Sequence, residues 1–207
     1  MESVFMDEKR TQLRQTLRSR RRALSAEQQQ HASRRVCQHL LSMPLLHDSH
    51  HIALYLPNDG EIDPTPLLQE LWHRGKFSYL PVLTPGQRLK FVRYTPDTPM
   101  ITNRYGIDEP HPDYDQHLEP EQLQLVLMPL VGFDSNCGRL GMGGGFYDRT
   151  FAFRIAEPGR GPALVGLAHE CQRVEQLPLE SWDVPLQAVV TDRELIANPA
   201  LPADGLF

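Results

Sequence analysis

Cysteine is scarce and odd in number. Cys37, Cys137 and Cys171 lie far apart in a chain of 207 residues, which argues against a disulfide framework and fits a reducing, cytoplasmic setting. No apolar run approaches the ~20 residues that cross a bilayer. The N-terminus is charged and helical in pattern and lacks the apolar stretch of a signal peptide. No internal repeat or low-complexity tract is present. Zinc-type ligand spacing is missing too, so the close group His47, His50 and His51 reads as surface. A net charge of −5 argues against general nucleic-acid binding. Glycine is abundant in one place only, and even there neither a Walker A lysine nor a Gly-x-Gly-x-x-Gly pattern occurs.

That place is Gly138-Arg-Leu-Gly-Met-Gly-Gly-Gly-Phe-Tyr-Asp-Arg149. Five glycines follow an apolar run, Leu125–Val131, that reads as a buried strand. Glycine lets backbone N–H groups converge on one point, which makes an anion nest. A generic glycine-rich turn is the competing reading.

The remaining pattern alternates strands and helices. Helix is expected from about Met6 to Leu24, with Leu13 and Leu17 forming an apolar stripe. Ser25-Ala-Glu-Gln28 is a capping-box signal for a second helix to about Ser42. Strands are expected at Ile52–Leu56, Lys76–Pro81, Leu89–Tyr94, Leu125–Val131, Ala163–Ala168 and Gln187–Thr191. Helices are expected at Thr65–Arg74 and Phe146–Ile155. A Pro-rich connection over 95–124 is long enough to be functional or to wrap the core. The order implies an α/β fold with a mostly parallel sheet, whose ligands sit at the carboxyl ends of strands.

Each candidate residue carries two readings. Arg10, Arg14 and Arg18 form a basic stripe that is usually a solvated face, but Arg10 and Arg14 could reach phosphates. Asp148 could hold Mg²⁺ or offset a helix dipole. Asp183 could be a second metal carboxylate or a turn residue. Glu61 could cap the helix beginning near Pro64 or accept paired N–H donors from an aminopyrimidine ring. Cys137 reads as structural.

Together the segments resemble the 5-formyltetrahydrofolate cyclo-ligase family. The first matching block is Lys9-Arg10…Arg14…Arg21-Arg22-Ala23-Leu24-Ser25, and the second is Leu56-Pro-Asn-Asp-Gly-Glu61-Ile-Asp63. The third and most specific runs from Pro129 to Asp134 and on through Gly138–Arg149. Tyr105–Pro110 and a tail ending at Val190-Thr-Asp192 also follow it. The resemblance implies a three-layer αβα sandwich with a Rossmann-like, mostly parallel sheet and an N-terminal helical pair, as one domain over 1–207. It implies conversion of 5-formyltetrahydrofolate and ATP to 5,10-methenyltetrahydrofolate, ADP and phosphate, with Mg²⁺ as cofactor. It also implies small-molecule substrates alone, no nucleic acid or membrane partner, a monomer and a cytoplasmic location.

By position, the resemblance assigns ATP to Arg10, Arg14, Arg139, Leu140, Gly141, Met142, Gly143, Gly144, Gly145, Phe146 and Tyr147. Folate goes to Arg14, Leu56, Glu61, Met142, Gly143, Gly144, Gly145 and Phe146. Arg14, Arg139 and Tyr147 serve the chemistry, and Asp148 and Asp183 hold the metal. The sequence departs from the family pattern at Arg10 (usually lysine), Met142 (commonly tyrosine or a basic residue), Phe146 (commonly tyrosine) and His169 (usually phenylalanine). Two other classes stay open: a non-catalytic folate or phospho-ligand binder on the same scaffold, and an RNA- or anion-binding protein using the basic first helix.

Overall fold

The structure is a computed structural model and describes residues 2–114, 116–157 and 159–202. Helix α1 (Glu2–Arg22) and helix α2 (Ala26–Leu41) open the chain. The capping box holds: Gln28 N–H donates to Ser25 Oγ at 3.2 Å and Ser25 N–H to Gln28 Oε1 at 2.8 Å. Next come α3 (Pro44–Asp48), β1 (His51–Ala53), α4 (Thr65–His73), β2 (Phe77–Thr84) and β3 (Arg88–Tyr94). The long connection contains β4 (Met100–Thr102), β5 (Asp108–Pro110) and β6 (His117–Leu118). The second half has β7 (Leu125–Pro129), β8 (Gly132–Phe133), β9 (Arg139–Leu140), α5 (Phe146–Thr150) and α6 (Phe153–Ala156). It closes with β10 (Ala163–Ala168), β11 (Ala188–Thr191) and β12 (Leu195–Ala197).

Eight strands form one sheet in the order β12-β11-β10-β7-β1-β2-β3-β6. The run β11-β10-β7-β1-β2 is parallel, and β12, β3 and β6 pair antiparallel at its edges. Parallel strands are covered on both faces and so read as unbroken apolar runs; Leu125–Met128 and Leu164–Ala168 are buried throughout. On one face Val36 and Leu40 of α2 and Leu67, Leu68 and Leu71 of α4 pack on Ile52, Leu125, Leu127 and Val165. On the other, Phe151 and its neighbours Phe146, Tyr147 and Phe153 cover Val126, Met128, Phe91 and Leu164. These are the three layers of an αβα sandwich.

Among the expected elements, α1 starts earlier, at Glu2, β2 runs on to Thr84 and β7 stops at Pro129, and two more differ for visible reasons. The helix expected over 146–155 breaks after Thr150. The Thr150 hydroxyl donates back to Phe146 O at 2.7 Å and accepts Leu89 N–H at 2.9 Å, so a strand pins the helix where its hydroxyl competes with the backbone ladder. The first strand ends earlier than Leu56: Leu54 N–H still bonds Tyr79 O at 3.0 Å, after which the chain heads into the Asn58–Glu61 turn. The Pro-rich connection over 95–124 carries the β4–β5 hairpin.

Helix α1 docks rather than standing free. Leu17, only 1% exposed, packs with Val131, Leu140 and Leu177, a burial worth about 2 kcal/mol. Its basic stripe faces inward: Arg10 is buried, and Arg14 and Arg18 are half-buried.

Candidate functional site

The carboxyl ends of β1 and β7 open into a cavity of about 880 Å³, with Leu56, Pro129 and Leu130 on its floor. This is where ligands bind in parallel α/β sheets. Four walls close around it: α1, the 58–61 turn, the glycine loop with α5, and the β4–β5 hairpin.

The glycine loop is anchored from behind. The buried Asp134 carboxylate accepts N–H groups from Asn136, Gly138 and Leu177, each at 3.0 Å. Gly143 has φ +99° and Gly145 φ +66°, left-handed conformations that side chains resist. A Cβ on Gly143 would also sit 3.5 Å from the Arg14 guanidinium carbon. Arg14 Nε donates to Gly141 O at 3.0 Å, so α1 and the loop are tied together at the cavity. Arg14 has no carboxylate within ion-pair distance among the described residues. Burial, and then Arg10 beside it, hold its pKa below the usual arginine range.

Arg139 enters from β9 with a side chain only 5% exposed, paired to Asp148. Its Nε is buried without a hydrogen-bond partner, an orphaned donor of the kind that an anion satisfies. Arg139 also lies over the Tyr147 ring, 5.9 Å from its centroid. Arg10 makes a bidentate pair with Asp183, at 2.6 and 3.0 Å. That hydrogen bond raises the Arg10 pKa against the opposing effect of burial.

The opposite end is formed by Glu61, whose side chain is 11% exposed. Burial pushes its carboxyl up to about 7, even though Arg21 lies nearby. Glu61 Oε2 accepts Asn58 N–H at 3.1 Å, so the helix-cap reading is incorrect: α4 starts at Thr65, and its N-cap residue Pro64 supplies no side-chain cap. Instead Asp63 Oδ1 accepts Thr65 N–H at 2.9 Å. Tyr147 is raised by burial and then by its nearness to Glu61, and so stays a protonated donor at neutral pH.

The cavity brings together Arg10, Arg14, Leu56, Glu61, Arg139, Gly141 to Tyr147, Asp148 and Asp183. Leu140 is the exception, because strand alternation turns its side chain into the Leu17–Val131–Leu177 cluster. Asp148 and Asp183 reach the cavity already paired with arginines, and no group of three or more metal-type side chains occurs among the described residues. Of the histidines read as surface, His47 and His50 are exposed, whereas His51 is half-buried in β1 with its Nδ1 2.8 Å from the Tyr79 hydroxyl.

Sequence reasoning passed over three contributors. Tyr105, on the β4–β5 hairpin, meets Phe146 edge-on with centroids 6.2 Å apart. Glu109 supports that hairpin by accepting Leu83 N–H at 3.2 Å and Asn103 Nδ2 at 2.9 Å. Trp182 lines the cavity although it is 61% exposed. Among the described residues, four of the five exposed large apolar side chains line this cavity: Tyr105, Met142, Ile155 and Trp182. Exposed apolar surface concentrated at one concavity marks a ligand site, and a rare tryptophan in a polar turn was the available signal.

A parallel sheet opening into a cavity with a glycine loop, converging guanidiniums and an orphaned donor defines an α/β protein built to hold an anionic ligand. The chain matches the sequence model of the 5-formyltetrahydrofolate cyclo-ligase family over residues 6–192, and it belongs to that family. It is 44% identical over 180 residues to the 5-formyltetrahydrofolate cyclo-ligase of Escherichia coli strain K12, covering 84% of this chain and 96% of that one. The Haemophilus influenzae protein of the same name is 46% identical over 181 residues, covering 86% and 95%. Among solved structures, the Aquifex aeolicus 5,10-methenyltetrahydrofolate synthetase superposes with a TM-score of 0.79 at 30% identity, covering 93% of this chain and 94% of that one.

Proposed function

We propose that this protein is an ATP-dependent 5-formyltetrahydrofolate cyclo-ligase that works in the cytoplasm as a monomer comprising one domain. The observation that carries the reading is the polarity of one cavity: guanidiniums and a glycine loop at one end, a buried carboxylate beside tyrosines at the other. A triphosphate and an aminopyrimidine ring are the ligands those ends suit.

The chemical problem is a poor leaving group. The formyl oxygen of 5-formyltetrahydrofolate attacks the γ-phosphorus of ATP, ADP departs, and the oxygen becomes part of a phosphate ester. N10 attacks the activated formyl carbon and closes the ring. Loss of phosphate and of the N10 proton gives the methenyl product. Transfer of this kind calls on the protein for alignment and charge stabilisation. Arg14 and Arg139 would spread the developing phosphoryl charge, joined by backbone N–H groups of Gly141 to Gly145. Tyr147 would donate to the reacting oxygens. Glu61 would accept the pterin N–H pair through the oxygen that Asn58 does not occupy, and Leu56 and Phe146 would pack the folate rings.

Asp148 and Asp183 fit Mg²⁺ by donor chemistry, being two hard carboxylates at one cavity, the number this ion uses alongside phosphate oxygens and water. Bound there, the ion would neutralise charge on the phosphates. Arg10 and Arg139 would turn from these carboxylates to the phosphates on nucleotide binding. Incubation with 5-formyltetrahydrofolate, ATP and Mg²⁺ is expected to generate the near-ultraviolet absorbance of the methenyl compound. Folate binding without ATP-dependent product would instead make the protein a binder on this scaffold.

A further inference from the structure

The 58–61 turn is held in place by residues outside the cavity's chemistry. Asp59 sits at φ 54° and Gly60 at φ 76°, a left-handed pair that aspartate and glycine adopt more readily than other residues and that gains external restraint here. Three arginines of α1 supply it. Arg18 Nε reaches Asp59 Oδ2 at 2.8 Å, and Arg22 pairs with Asp59 Oδ1. Arg21 is fully buried and commits every nitrogen: Nε to Asp59 O at 2.8 Å, Nη2 to Asp59 Oδ2 at 2.8 Å, and Nη1 to Leu130 O at 3.3 Å. That same Nη1 is 3.9 Å from Glu61 Oε1. From the opposite side His169 Nε2 donates to Gly60 O at 3.1 Å; a carbonyl can only accept, so the proton is on Nε2.

We infer that Arg21 and Asp59 are positioning residues for folate: their ion pair fixes the turn so that one Glu61 oxygen is presented to the cavity. This rests on the proposed folate role of Glu61. A buried guanidinium that bonds one turn and one strand end fixes an angle between them, which a lysine point charge would not do. The groups facing Glu61 are Arg18 and Arg21 from α1, Asp59 on its own turn, Tyr55 after β1 and Tyr147 on α5. Asp59 is held at about 2 because the three arginines outweigh the upward push of burial, so the pair is ionised throughout the working range.

Arg21→Gln and Asp59→Asn test the inference, with 5-formyltetrahydrofolate affinity measured by titration calorimetry across pH alongside turnover and thermal unfolding. Asparagine tolerates the left-handed conformation, so Asp59→Asn isolates the charge and decides the matter alone if Arg21→Gln does not fold. Folate binding is expected to weaken about tenfold in both variants, with ATP KM within about twofold of the parent. The pH midpoint of folate binding should move up in Arg21→Gln, where a cation is lost, and down in Asp59→Asn, where an anion is lost. Variants that lose thermal stability yet keep the parent's folate affinity and pH profile would reduce the pair to a structural tie. If the parent binds folate but makes no product, the catalytic reading fails while the calorimetry still decides this one. A parent that binds no folate would overturn both.

Discussion

Arg10 and Asp183 are joined by two hydrogen bonds, 2.6 and 3.0 Å long, although 173 residues separate them in sequence. With side chains 9% and 8% exposed, the pair closes α1 onto the loop that precedes β11. On the proposed function these are the phosphate and metal groups, and nucleotide binding would then exchange partners rather than fill a bare site.

Arg10→Lys is therefore expected to keep turnover within about threefold, because the charge remains, and to lower thermal stability because the bidentate fork is lost. Arg10→Ala strands Asp183 and should raise the ATP KM about tenfold while costing about 1–3 kcal/mol of stability. Steady-state kinetics with thermal unfolding check both. Equal ATP KM values in the parent and the alanine variant would remove Arg10 from the nucleotide end.

Glu61 gives a pH-dependent prediction. Its carboxyl is raised from an ordinary 4.5 to about 7 in the folded protein. Its contribution to stability is thus complete below 4.5 and gone once pH has passed 7. Glu61→Gln, always neutral, should unfold at higher temperature than the parent at pH 8, by up to about 3 kcal/mol in free energy. The gap should close toward pH 4.5. The same variant should lose folate affinity and keep ATP affinity.

Gly143→Ala puts a side chain at a φ of +99°, which L residues rarely adopt, while its methyl would make only ordinary contact 3.5 Å from the Arg14 guanidinium. More than tenfold loss of kcat/KM is expected with little change in melting temperature, since the loop is exposed at that point. Gly159→Ala, whose Cβ would meet nothing within 4 Å, serves as the silent control.

Asp148→Asn keeps an oxygen for Val184 N–H, 3.3 Å away, and loses the charge. The Mg²⁺ concentration for half-maximal turnover should rise about tenfold. An unchanged requirement would assign Asp148 to Arg139 alone.

Legibility in the sequence followed the range of the forces involved. Periodicity located α2, α4 and β10 nearly to the residue, because Ser25, Pro64 and the apolar run at 163–168 act within a few positions. The break after Thr150 was hidden, since it depends on Leu89, 61 residues away in the chain. Glu61 showed the same limit: local spacing slightly favoured a helix cap, and only Asn58 N–H and the cavity beyond decide otherwise. The inward turn of the arginine stripe was equally invisible, because a charged helical face looks solvated until its partners at positions 59, 141 and 183 are folded against it.

Helix α1 sends Arg10 and Arg14 to the glycine-loop end of the cavity and Arg18, Arg21 and Arg22 to the Glu61 end. One stiff rod about 30 Å long therefore borders both ends of the cavity. On the proposed function a change at one end would be felt at the other, and reciprocity would then hold: whatever factor ATP applies to folate affinity, folate must return to ATP.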